Sequence, residues 1–449
     1  MAHDVDVVVI GLGPGGEAAA TKLATQGLKV VGIDRRLVGG ECPYYGCIPS
    51  KMAIRAADLL AEGRRIPGLA GSSTVTPDWG EVAARIRNEA TDDWDDTVAV
   101  ERLEKAGVRF VRGHGRLAGP RTVEVNGSTF RASRGVLLNT GTEPAVPPID
   151  GLAGTPYWTN REALRATEAP GSLAVIGGGS IGVELAHAFA RFGTRVSVLE
   201  AAERLVPPEE PEAGQLLAEV FEANGIEVHA GARIDSVRHD QGLFTLGFDG
   251  GSVRADQLLV ASGRRPNLRD LGLDTVGLDP ETRSLAVDER LRAGDGLWAI
   301  GDITGKGAFT HMSMYQSAIA ARDILGQDGP AADYRAVPRV TFTDPEIGSV
   351  GMSERRAREA GLELRVGVTD VSSATRGWIH RAEGLVKLVE DADRGVLVGA
   401  TAMGPTGGEV LSMLTVAVHA EVPTDTLRSM VYAYPTFHRA VESALDDLS

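Results

Sequence analysis

Two stretches of the chain repeat one pattern of apolar and polar positions. In the first, the apolar run Val7–Ile10 predicts a strand, and the alanine-rich stretch Glu17–Gln26, which follows a glycine-rich segment, predicts a helix. The next apolar run, Lys29–Ile33, predicts a second strand and is followed by Asp34. Residues 173–200 repeat the order of strand, glycines, helix, strand and closing acid. This order is typical of a βαβ unit with parallel strands.

The glycines follow G-x-G-x-x-G in both copies: Gly11, Gly13 and Gly16 in the first, and Gly177, Gly179 and Gly182 in the second. In such a motif the first glycine allows a tight turn, the second lets a pyrophosphate approach, and the third lets the helix pack closely on its strand. The closing acids, Asp34 and Glu200, each lie 23 residues after the first glycine and are suited to bind ribose hydroxyls. In this context the motifs predict two bound dinucleotides, and two glycine-rich turns without ligand are the alternative.

Composition and charge narrow the class of protein. The 449 residues include 46 basic and 61 acidic ones, and the net charge of −15 disfavours nucleic acid as a partner. No apolar run approaches the roughly 18 residues of a membrane-spanning helix, and the first residues lack the pattern of an export signal. We therefore expect a cytoplasmic globular protein that acts on small molecules, with no membrane partner.

The chain has only two cysteines, Cys42 and Cys47, separated by four residues. One pair cannot brace a chain of this length, and structural disulfides are rare in the cytosol, so the spacing favours a redox-active pair over a packing role. The apolar pattern of Met52–Leu60 predicts a helix. Cys47 is therefore expected near a helix start, where the positive end of the helix dipole favours a thiolate.

The segment Gly39–Lys51, with its CxxxxC spacing, and both glycine motifs resemble the class I pyridine nucleotide-disulfide oxidoreductases, a family that includes dihydrolipoamide dehydrogenase, glutathione reductase and mercuric reductase. Further matching motifs are Thr140-Gly141, Gly263-Arg264-Arg265-Pro266-Asn267, Ala299-Ile300-Gly301-Asp302 and Phe342-Thr343-Asp344-Pro345-Glu346. The resemblance covers nearly the whole chain. It implies an α/β fold with two Rossmann-like dinucleotide-binding domains, for FAD and NAD(P), and a C-terminal α+β dimerisation domain that forms a homodimer.

The resemblance also implies domain boundaries. The FAD-binding domain would comprise residues 1–146 and 264–330, the NAD(P)-binding domain residues 147–263, and the dimerisation domain residues 339–449. Apolar runs at residues 385–389 and 396–400 predict strands in the last domain, and residues 411–420 predict a helix.

Roles for individual residues follow from the same resemblance. Cys47 would be the thiol next to the flavin, and Cys42 the interchange thiol that attacks the acceptor. Lys51, paired with Glu184, would lie beside the flavin, where a cation stabilises the negative charge of the reduced ring. The residues implied to bind FAD are Gly11, Gly13, Gly16, Asp34, Gly40, Lys51, Gly115, Thr140, Gly141 and Asp302. Those implied to bind the nicotinamide cofactor are Gly177, Gly179, Gly182, Glu200 and Gly263.

The residue types around the second motif favour NADH over NADPH. The carboxylate of Glu200 would accept hydrogen bonds from the ribose 2′-hydroxyl and repel a 2′-phosphate. Arg204, four residues further on, is the feature that favours the alternative, NADPH.

The C-terminal segment departs from the family. The family's disulfide reductases carry His-Pro-Thr with a glutamate five residues after the histidine, and this pair protonates the leaving thiol across the dimer. Here Tyr434 replaces the histidine and Arg439 replaces the glutamate. A phenol with a pKa of about 10 is a poor proton shuttle at neutral pH compared with imidazole at about 6.5. His438 and Glu442 could form a displaced dyad, but their spacing favours a simple surface pair.

The sequence thus predicts an enzyme that passes electrons from a nicotinamide through FAD to Cys42 and Cys47, and on to a disulfide or other thiol-reactive acceptor. Metal reduction of the mercuric reductase kind is an alternative, which the lack of C-terminal cysteines weakens. Electron transfer from the flavin to quinones or a second nicotinamide is another, since soluble transhydrogenases also have Tyr before Pro-Thr, although they lack a complete cysteine pair. A short similarity to ketopropyl coenzyme M oxidoreductase/carboxylase, and a non-enzymatic redox switch, also stay open.

Overall fold

The computed structural model describes residues 2–449, and backbone contacts divide the chain into two compact units. The first unit comprises the residues up to Pro49, Ala84–Ala145 and Arg264–Asp333. The second comprises Ser50–Ala83, Val146–Gly263 and Tyr334–Ser449. The three domain boundaries implied by the resemblance stay a prediction.

The helices and strands up to residue 145 include both cysteines and the first glycine motif. The strands are β1 (Ala2–Ile10), β2 (Val30–Asp34), β3 (Val108–Arg112), β4 (Arg116–Leu117), β5 (Thr122–Val125), β6 (Ser128–Leu138) and β7 (Thr142–Pro144). The helices are α1 (Pro14–Thr25), α2 (Glu41–Tyr45), α3 (Cys47–Arg65), α4 (Trp79–Arg85) and α5 (Thr97–Lys105), with a π-helical turn at Ile86–Ala90.

The next two segments run from residue 146 to residue 333. Between residues 146 and 263 lie α6 (Asn160–Arg165), β8 (Ser172–Ile176), α7 (Ser180–Arg191), β9 (Arg195–Glu200), α8 (Pro211–Ala223), β10 (Glu227–Ala230), β11 (Ile234–Asp240), β12 (Leu243–Phe248), β13 (Gly251–Ala255) and β14 (Gln257–Val260). Between residues 264 and 333 lie β15 (Arg264–Pro266), β16 (Arg292–Gly294), β17 (Leu297–Ala299) and α9 (Thr310–Ile324), with 3₁₀ turns at Leu273–Val276 and Gly301–Thr304.

The remaining residues form a sheet with flanking helices. They comprise β18 (Pro338–Thr341), β19 (Glu346–Gly351), α10 (Glu354–Glu359), β20 (Leu364–Asp370), α11 (Thr375–His380), β21 (Leu385–Asp391), β22 (Val396–Gly404), α12 (Gly407–His419), α13 (Thr424–Arg428) and α14 (Arg439–Asp446), with a 3₁₀ turn at Val371–Ser373.

The first unit is built on a sheet whose strand order is β16-β17-β6-β1-β2-β3, extended from β6 by β5 and β4. Strand β1 is central and pairs in parallel with both β2 and β6. Its end is buried on both faces: Val7 and Val9 pack with α1 and α9, and Val8 and Ile10 pack with β4 and β5. This is why the sequence there is a continuous apolar run and not an alternating one.

The second unit contains a parallel sheet of order β10-β9-β8-β14 and an antiparallel sheet of order β11-β12-β13. Its C-terminal part is a five-stranded antiparallel sheet of order β18-β19-β22-β21-β20. The apolar faces of α12 and α14 share one core with β21 and β22. The two parallel βαβ sheets and the C-terminal α+β layer confirm the predicted fold class.

One buried ion-pair cluster and one neighbouring, largely buried ion pair stabilise the second unit. Lys387 on β21 is almost fully buried, and its ammonium contacts Glu210 at 3.1 Å, Glu212 at 2.7 Å and Glu354 at 2.8 Å. Burial opposes its charge, but these three carboxylates outweigh burial and raise the pKa of Lys387 above its usual range. Nearby, Arg339 pairs with Glu209 at 2.7 Å.

Candidate active site

The two glycine motifs form turns of the same shape. Gly11 and Gly177 both have positive φ, +92° and +109°, and a Cβ atom there would lie 2.3 Å and 2.5 Å from the carbonyl oxygens of Asn139 and Ala261. A larger residue at either position would collide with backbone. The middle glycines, Gly13 and Gly179, are instead the N-cap residues of α1 and α7. A Cβ atom at either position would meet no atom closer than 3.4 Å. Their backbone is thus open to a pyrophosphate.

The third glycines are required by close packing. A Cβ on Gly16 would lie 2.0 Å from the carbonyl oxygen of Gly11, and a Cβ on Gly182 would lie 1.9 Å from that of Gly177. Each helix therefore approaches its own glycine turn too closely for any side chain. The turns fit two dinucleotides in the way the motif requires.

The closing acids are held by matching pairs of backbone amides. Asp34 accepts hydrogen bonds from the N–H groups of Leu12 and Arg36, both at 2.7 Å. Glu200 accepts from the N–H groups of Gly178 at 2.6 Å and Ala202 at 2.7 Å. Burial raises the pKa of Asp34, and the two amide donors oppose that rise. Each carboxylate is thereby fixed beside the glycine turn, with lone pairs left for ribose hydroxyls.

Five further residues implied to bind FAD, namely Gly40, Gly115, Thr140, Gly141 and Asp302, lie around the first glycine turn. Gly40 has φ of +70°, and a Cβ there would lie 2.9 Å from the Cα of Gly13. A Cβ on Gly115 would lie 3.2 Å from Ile33, at the end of β2. Thr140 donates from its hydroxyl to the carbonyl of Asn267 at 2.8 Å, and Gly141 has φ of +62°. Asp302 accepts a hydrogen bond of 2.6 Å from the hydroxyl of Thr142.

Asn139 is a site residue that the sequence reasoning missed. Its amide donates to the carbonyl of Gly11 at 3.3 Å and its side-chain oxygen accepts from Ser313 at 3.1 Å. That oxygen would also lie 2.9 Å from a Cβ on Gly301. Asn139 therefore joins the first glycine turn to the turn that carries Asp302. The available signal was a polar residue directly after the apolar end of β6 and before Thr140-Gly141.

The two cysteines lie on adjacent helices. Cys42 is on the short helix α2, and α3 begins at Cys47, as the sequence predicted. Both are thiols; Cys42 is half-buried and Cys47 is exposed, with its sulfur 3.5 Å from the hydroxyl of Thr310. The adjacent sulfur of Cys47, and then burial, raise the pKa of Cys42 far above its usual range. The loss of a second proton from the pair is thus disfavoured.

Tyr44, between the two cysteines, is held by a segment that the sequence did not flag. Its hydroxyl donates to the carbonyl of Asp95 at 3.3 Å, and the indole N–H of Trp94 donates to the carbonyl of Tyr44 at 3.1 Å. Burial raises the pKa of Tyr44 to about 12, so the phenol stays protonated. Asp92, Asp93 and Trp94 all have positive φ, between 47° and 58°. This unusual backbone directs the Trp94 side chain toward the cysteine-bearing helix.

The structure brings Lys51 and Glu184 together, within the second unit. The ammonium of Lys51 lies 2.7 Å from one carboxylate oxygen of Glu184, and the backbone N–H of Phe342 donates to the other at 2.9 Å. The Glu184 side chain is 7% exposed and that of Lys51 is 34% exposed. Lys51 also lies in the first turns of α3, four residues after Cys47.

A buried histidine lies one helical turn beyond Glu184. His187 is 3% exposed, its Nδ1 accepts from the backbone N–H of Asp344 at 3.5 Å, and its Nε2 has no hydrogen-bond partner among the described residues. Burial, assisted by the nearby Arg191 guanidinium, lowers the pKa of His187 to about 3. His187 is therefore neutral in the folded protein at neutral and mildly acidic pH.

His187 should make the protein less stable at mildly acidic pH. Between its folded pKa of about 3 and an unfolded value of about 6.5, the unfolded chain binds a proton that the folded chain does not. Stability should consequently fall as the pH drops below about 6.5, by up to about 1.4 kcal/mol per pH unit. The measurement compares Tm at pH 7 and pH 5 in the wild type and in His187→Gln, which is neutral at both. Equal pH dependence in the two proteins would contradict this assignment.

The C-terminal substitutions form a local cluster within the second unit. Tyr434 is 66% exposed and donates to the hydroxyl of Thr375 at 3.3 Å. The guanidinium of Arg439 lies 5.5 Å from the centre of the Tyr434 ring and pairs with Glu442 at 2.7 Å. The expected surface pair of His438 and Glu442 is therefore wrong. His438 occupies the N-cap position of α14 without a side-chain capping hydrogen bond, and the longer Arg439, three residues before Glu442, pairs with the carboxylate instead.

No helix within residues 2–449 is long and apolar enough to cross a membrane. In the same residues no group of three or more His, Cys, Asp or Glu side chains is arranged to hold a metal ion.

Comparison with known proteins identifies the family to which the chain belongs. Residues 5–323 match the model of the pyridine nucleotide-disulphide oxidoreductase family, and residues 337–445 match the dimerisation domain of that family. The chain is 33% identical over 456 residues to a mercuric reductase of Acidithiobacillus ferrooxidans, covering 98% of this chain and 82% of that protein. It is also 33% identical over 461 residues to a dihydrolipoyl dehydrogenase of Thermus scotoductus, covering 99% and 97%.

A solved structure agrees over the full length. It is a Cu(II) complex of the HOCl-induced flavoprotein disulfide reductase RclA from Escherichia coli, with a TM-score of 0.86, 26% identity and 99% of each chain covered. The fold and the paired glycine turns thus belong to a FAD-dependent enzyme class that uses NAD(P)H. The chain is a member of the pyridine nucleotide-disulphide oxidoreductase family and carries its dimerisation domain.

Proposed function

We propose that the protein is an NADH-dependent reductase that uses Cys42 and Cys47 to reduce a small-molecule disulfide or another thiol-reactive acceptor. The observation that carries the proposal is the position of the segment that leads into the two cysteines. Gly40, directly before α2, lies against Gly13 of the first glycine turn. Bound FAD supplies two-electron transfer between the nicotinamide and the cysteine pair. Asp34, Gly13 and Asp302 would hold it in the first unit, and Glu200 and Gly179 would hold NADH in the second.

The two sulfurs have different tasks in this reaction. Cys42 releases its proton to solvent as its sulfur attacks one sulfur of the acceptor, the acceptor's S–S bond breaks, and the other sulfur leaves as a thiolate or, once protonated, as a thiol. The sulfur of Cys47 then attacks Cys42, which releases the second thiol and closes the Cys42–Cys47 disulfide. Two electrons from NADH return that disulfide to the dithiol. The position of Cys47 at the start of α3, where the helix dipole favours a thiolate, supports its part in this cycle.

The leaving thiol must gain a proton or leave as an anion. Tyr434 replaces the imidazole that provides this proton in the family's disulfide reductases. The proposed acceptor is therefore one whose leaving sulfur is a stable anion and needs little protonation.

Reduction of a metal ion is the second candidate. One relative is a mercuric reductase, and one related structure is a Cu(II) complex. The exposed thiol of Cys47 favours this candidate here, because a thiolate that solvent reaches can ligate a soft metal ion. The metal ion would be substrate, and the dithiol would supply its electrons.

NADH preference is part of the proposal. Glu200 is fixed by two amide donors beside the second glycine turn, where its carboxylate would repel a 2′-phosphate. Arg204 is directed elsewhere, since its guanidinium donates to the carbonyls of Pro207 at 2.8 Å and Glu209 at 3.2 Å. Glu200→Arg should lower kcat/KM for NADH by about tenfold or more and raise it for NADPH. Clear NADPH preference in the wild type would contradict the role of Glu200; Glu227→Arg, an exposed acid on β10, is the control.

The active form is proposed to be a cytoplasmic homodimer. The support for the dimer is the match of residues 337–445 to the family's dimerisation domain. The support for a cytoplasmic location is the single pair of cysteines. Structural disulfides are rare in a reducing compartment, whereas a catalytic pair that cycles between dithiol and disulfide is compatible with one.

An anaerobic titration of FAD-loaded protein with NADH tests the function. We expect the preparation to be yellow, to bleach with NADH, and to gain two free thiols per chain, because the chain has only two cysteines. Added acceptors, namely an aryl disulfide, lipoamide, a quinone and Hg(II), should then separate the candidates by which of them sustains NADH oxidation. A protein that takes up no FAD, or whose thiol count is the same before and after NADH, contradicts the proposal. A redox switch would be reduced once and would not turn over.

A further inference from the structure

A row of buried polar side chains extends along α7 from the Lys51–Glu184 pair. Glu184, His187 and Arg191 are spaced by three and four residues, so they share one face of the helix. All three are buried, with exposed fractions of 5%, 3% and 6%. Arg191 pairs with Asp58 on α3 at 2.6 Å. The row therefore links α7 to the helix that carries Lys51.

The segment Phe342–Asp344 lies along this row and contacts each of its members. The backbone N–H of Phe342 donates to Glu184 at 2.9 Å, and that of Asp344 donates to His187 at 3.5 Å. The carboxylate of Asp344 accepts from Arg191 at 2.5 Å. A short piece of chain after β18 is thus fixed to α7 at three successive points.

Phe342 also contacts Lys51 directly. The Lys51 ammonium lies 4.5 Å from the centre of the Phe342 ring, within the range of a cation–π interaction. The same ammonium is 2.7 Å from Glu184, whose other oxygen is held by the Phe342 amide. The ring and the backbone of one residue therefore restrict both members of the Lys51–Glu184 pair.

The Arg191–Asp344 pair keeps this segment in place. Its side chains are 6% and 18% exposed, so separation would leave a charge buried without its partner. Arg65 pairs with the same Asp344 oxygen at 2.5 Å. Two guanidinium groups thus anchor Asp344, and Phe342 two residues earlier is carried with it.

We propose that Phe342, anchored through Asp344 to Arg191, is the positioning residue that aims the Lys51 ammonium in electron transfer. This inference rests on the proposed function and on the role that the family resemblance implies for Lys51, which is to stabilise the negative charge of the reduced flavin. Residues of the family's dimerisation domain would in this way set the reduction potential of the flavin. Phe342 acts through its contact with Lys51.

The test is the flavin midpoint potential of FAD-loaded Phe342→Leu, together with its rate of flavin reduction by NADH. Losing the ring lets the ammonium reorient, so the equilibrium constant for flavin reduction should fall by about three- to tenfold. Tenfold corresponds to a potential about 30 mV more negative for two electrons. Phe342→Tyr keeps an aromatic face and should restore the wild-type potential. Phe342→Met, which nearly conserves volume without a ring, should show the same shift as Phe342→Leu if the leucine variant is poorly folded.

Arg339→Met is the matched control. It breaks the Arg339–Glu209 pair, a similarly buried ion pair of the same unit that belongs neither to the polar row on α7 nor to the Lys51–Glu184 pair. It should lower Tm and leave the potential unchanged, whereas Arg191→Met should lower Tm and shift the potential in the direction of Phe342→Leu. A wild-type potential in both Phe342→Leu and Phe342→Met, or an equal shift in Arg339→Met, overturns the inference. A wild type that binds FAD and is not reduced by NADH would instead overturn the proposed function.

Discussion

Cys42→Ser should abolish disulfide reduction and leave NADH oxidation with a dye acceptor largely intact. The serine hydroxyl cannot form the mixed disulfide with the acceptor, so no covalent route remains. Turnover of an aryl disulfide should fall by about 10³-fold or more. A dye that takes electrons from the flavin needs no thiol, so its rate reports whether FAD and NADH still bind. The measurement is kcat with both acceptors on the same preparation.

The two single variants should also differ in their spectra. With Cys42 replaced, Cys47 has no neighbouring sulfur to bond with, and its thiolate at the start of α3 should give a long-wavelength absorption band against oxidised FAD. Cys47→Ser should lack that band and should lose disulfide turnover as well. Substantial disulfide turnover in Cys42→Ser, or a band in Cys47→Ser only, would show that the roles of the two thiols are exchanged.

The dinucleotide turns could be predicted because their determinants are local. Within one strand-helix-strand unit, Gly16 is required by its close approach to the carbonyl of Gly11, and Asp34 is held by the amide of Leu12. In the second copy, Gly182 approaches the carbonyl of Gly177 in the same way. An apolar run followed by glycines at fixed spacing therefore indicates both the turn and its ligand class.

The contacts around Tyr44 and Lys51 could not be predicted, because they join residues far apart in the sequence. Trp94 reaches Tyr44 from 50 residues away through three successive residues of positive φ, none of them glycine. Phe342 belongs to a recognisable motif, but nothing in that motif indicates that its ring contacts Lys51. Such pairs depend on tertiary packing, which periodicity and spacing do not specify.

The predicted surface pair of His438 and Glu442 is wrong, because Glu442 pairs with Arg439 instead. His438 has helical backbone angles just before α14, so a spacing of four is compatible with contact but does not decide which side chain Glu442 pairs with. Arg439, three residues before Glu442, has the longer side chain and pairs with that carboxylate.

Restoring the family's dyad as Tyr434→His with Arg439→Glu should raise the turnover of alkyl disulfides by at least about tenfold, toward the 10² to 10⁴ that general acid catalysis typically contributes. An alkyl thiolate is a poor leaving group, so its departure is the step that a proton donor accelerates. Tyr434→His alone should gain less, because the imidazole then lacks a carboxylate to orient it. Arg439→Glu also removes the guanidinium that now lies over the Tyr434 ring and pairs with Glu442.

The choice of acceptor is the internal control for this prediction. An aryl disulfide whose thiolate is already stable, and a quinone that has no leaving sulfur, should turn over at nearly the same rate in the wild type and in the double variant, because neither needs the added acid. A gain confined to lipoamide would therefore show that slow disulfide turnover in the wild type is caused by the lack of a proton donor. A change in folding or in FAD content would alter the turnover of all three acceptors. Rapid reduction of lipoamide by the wild type at neutral pH would contradict the argument. A large loss of disulfide activity in His438→Ala would contradict it too, since that result would make His438 the displaced proton donor despite its position outside α14.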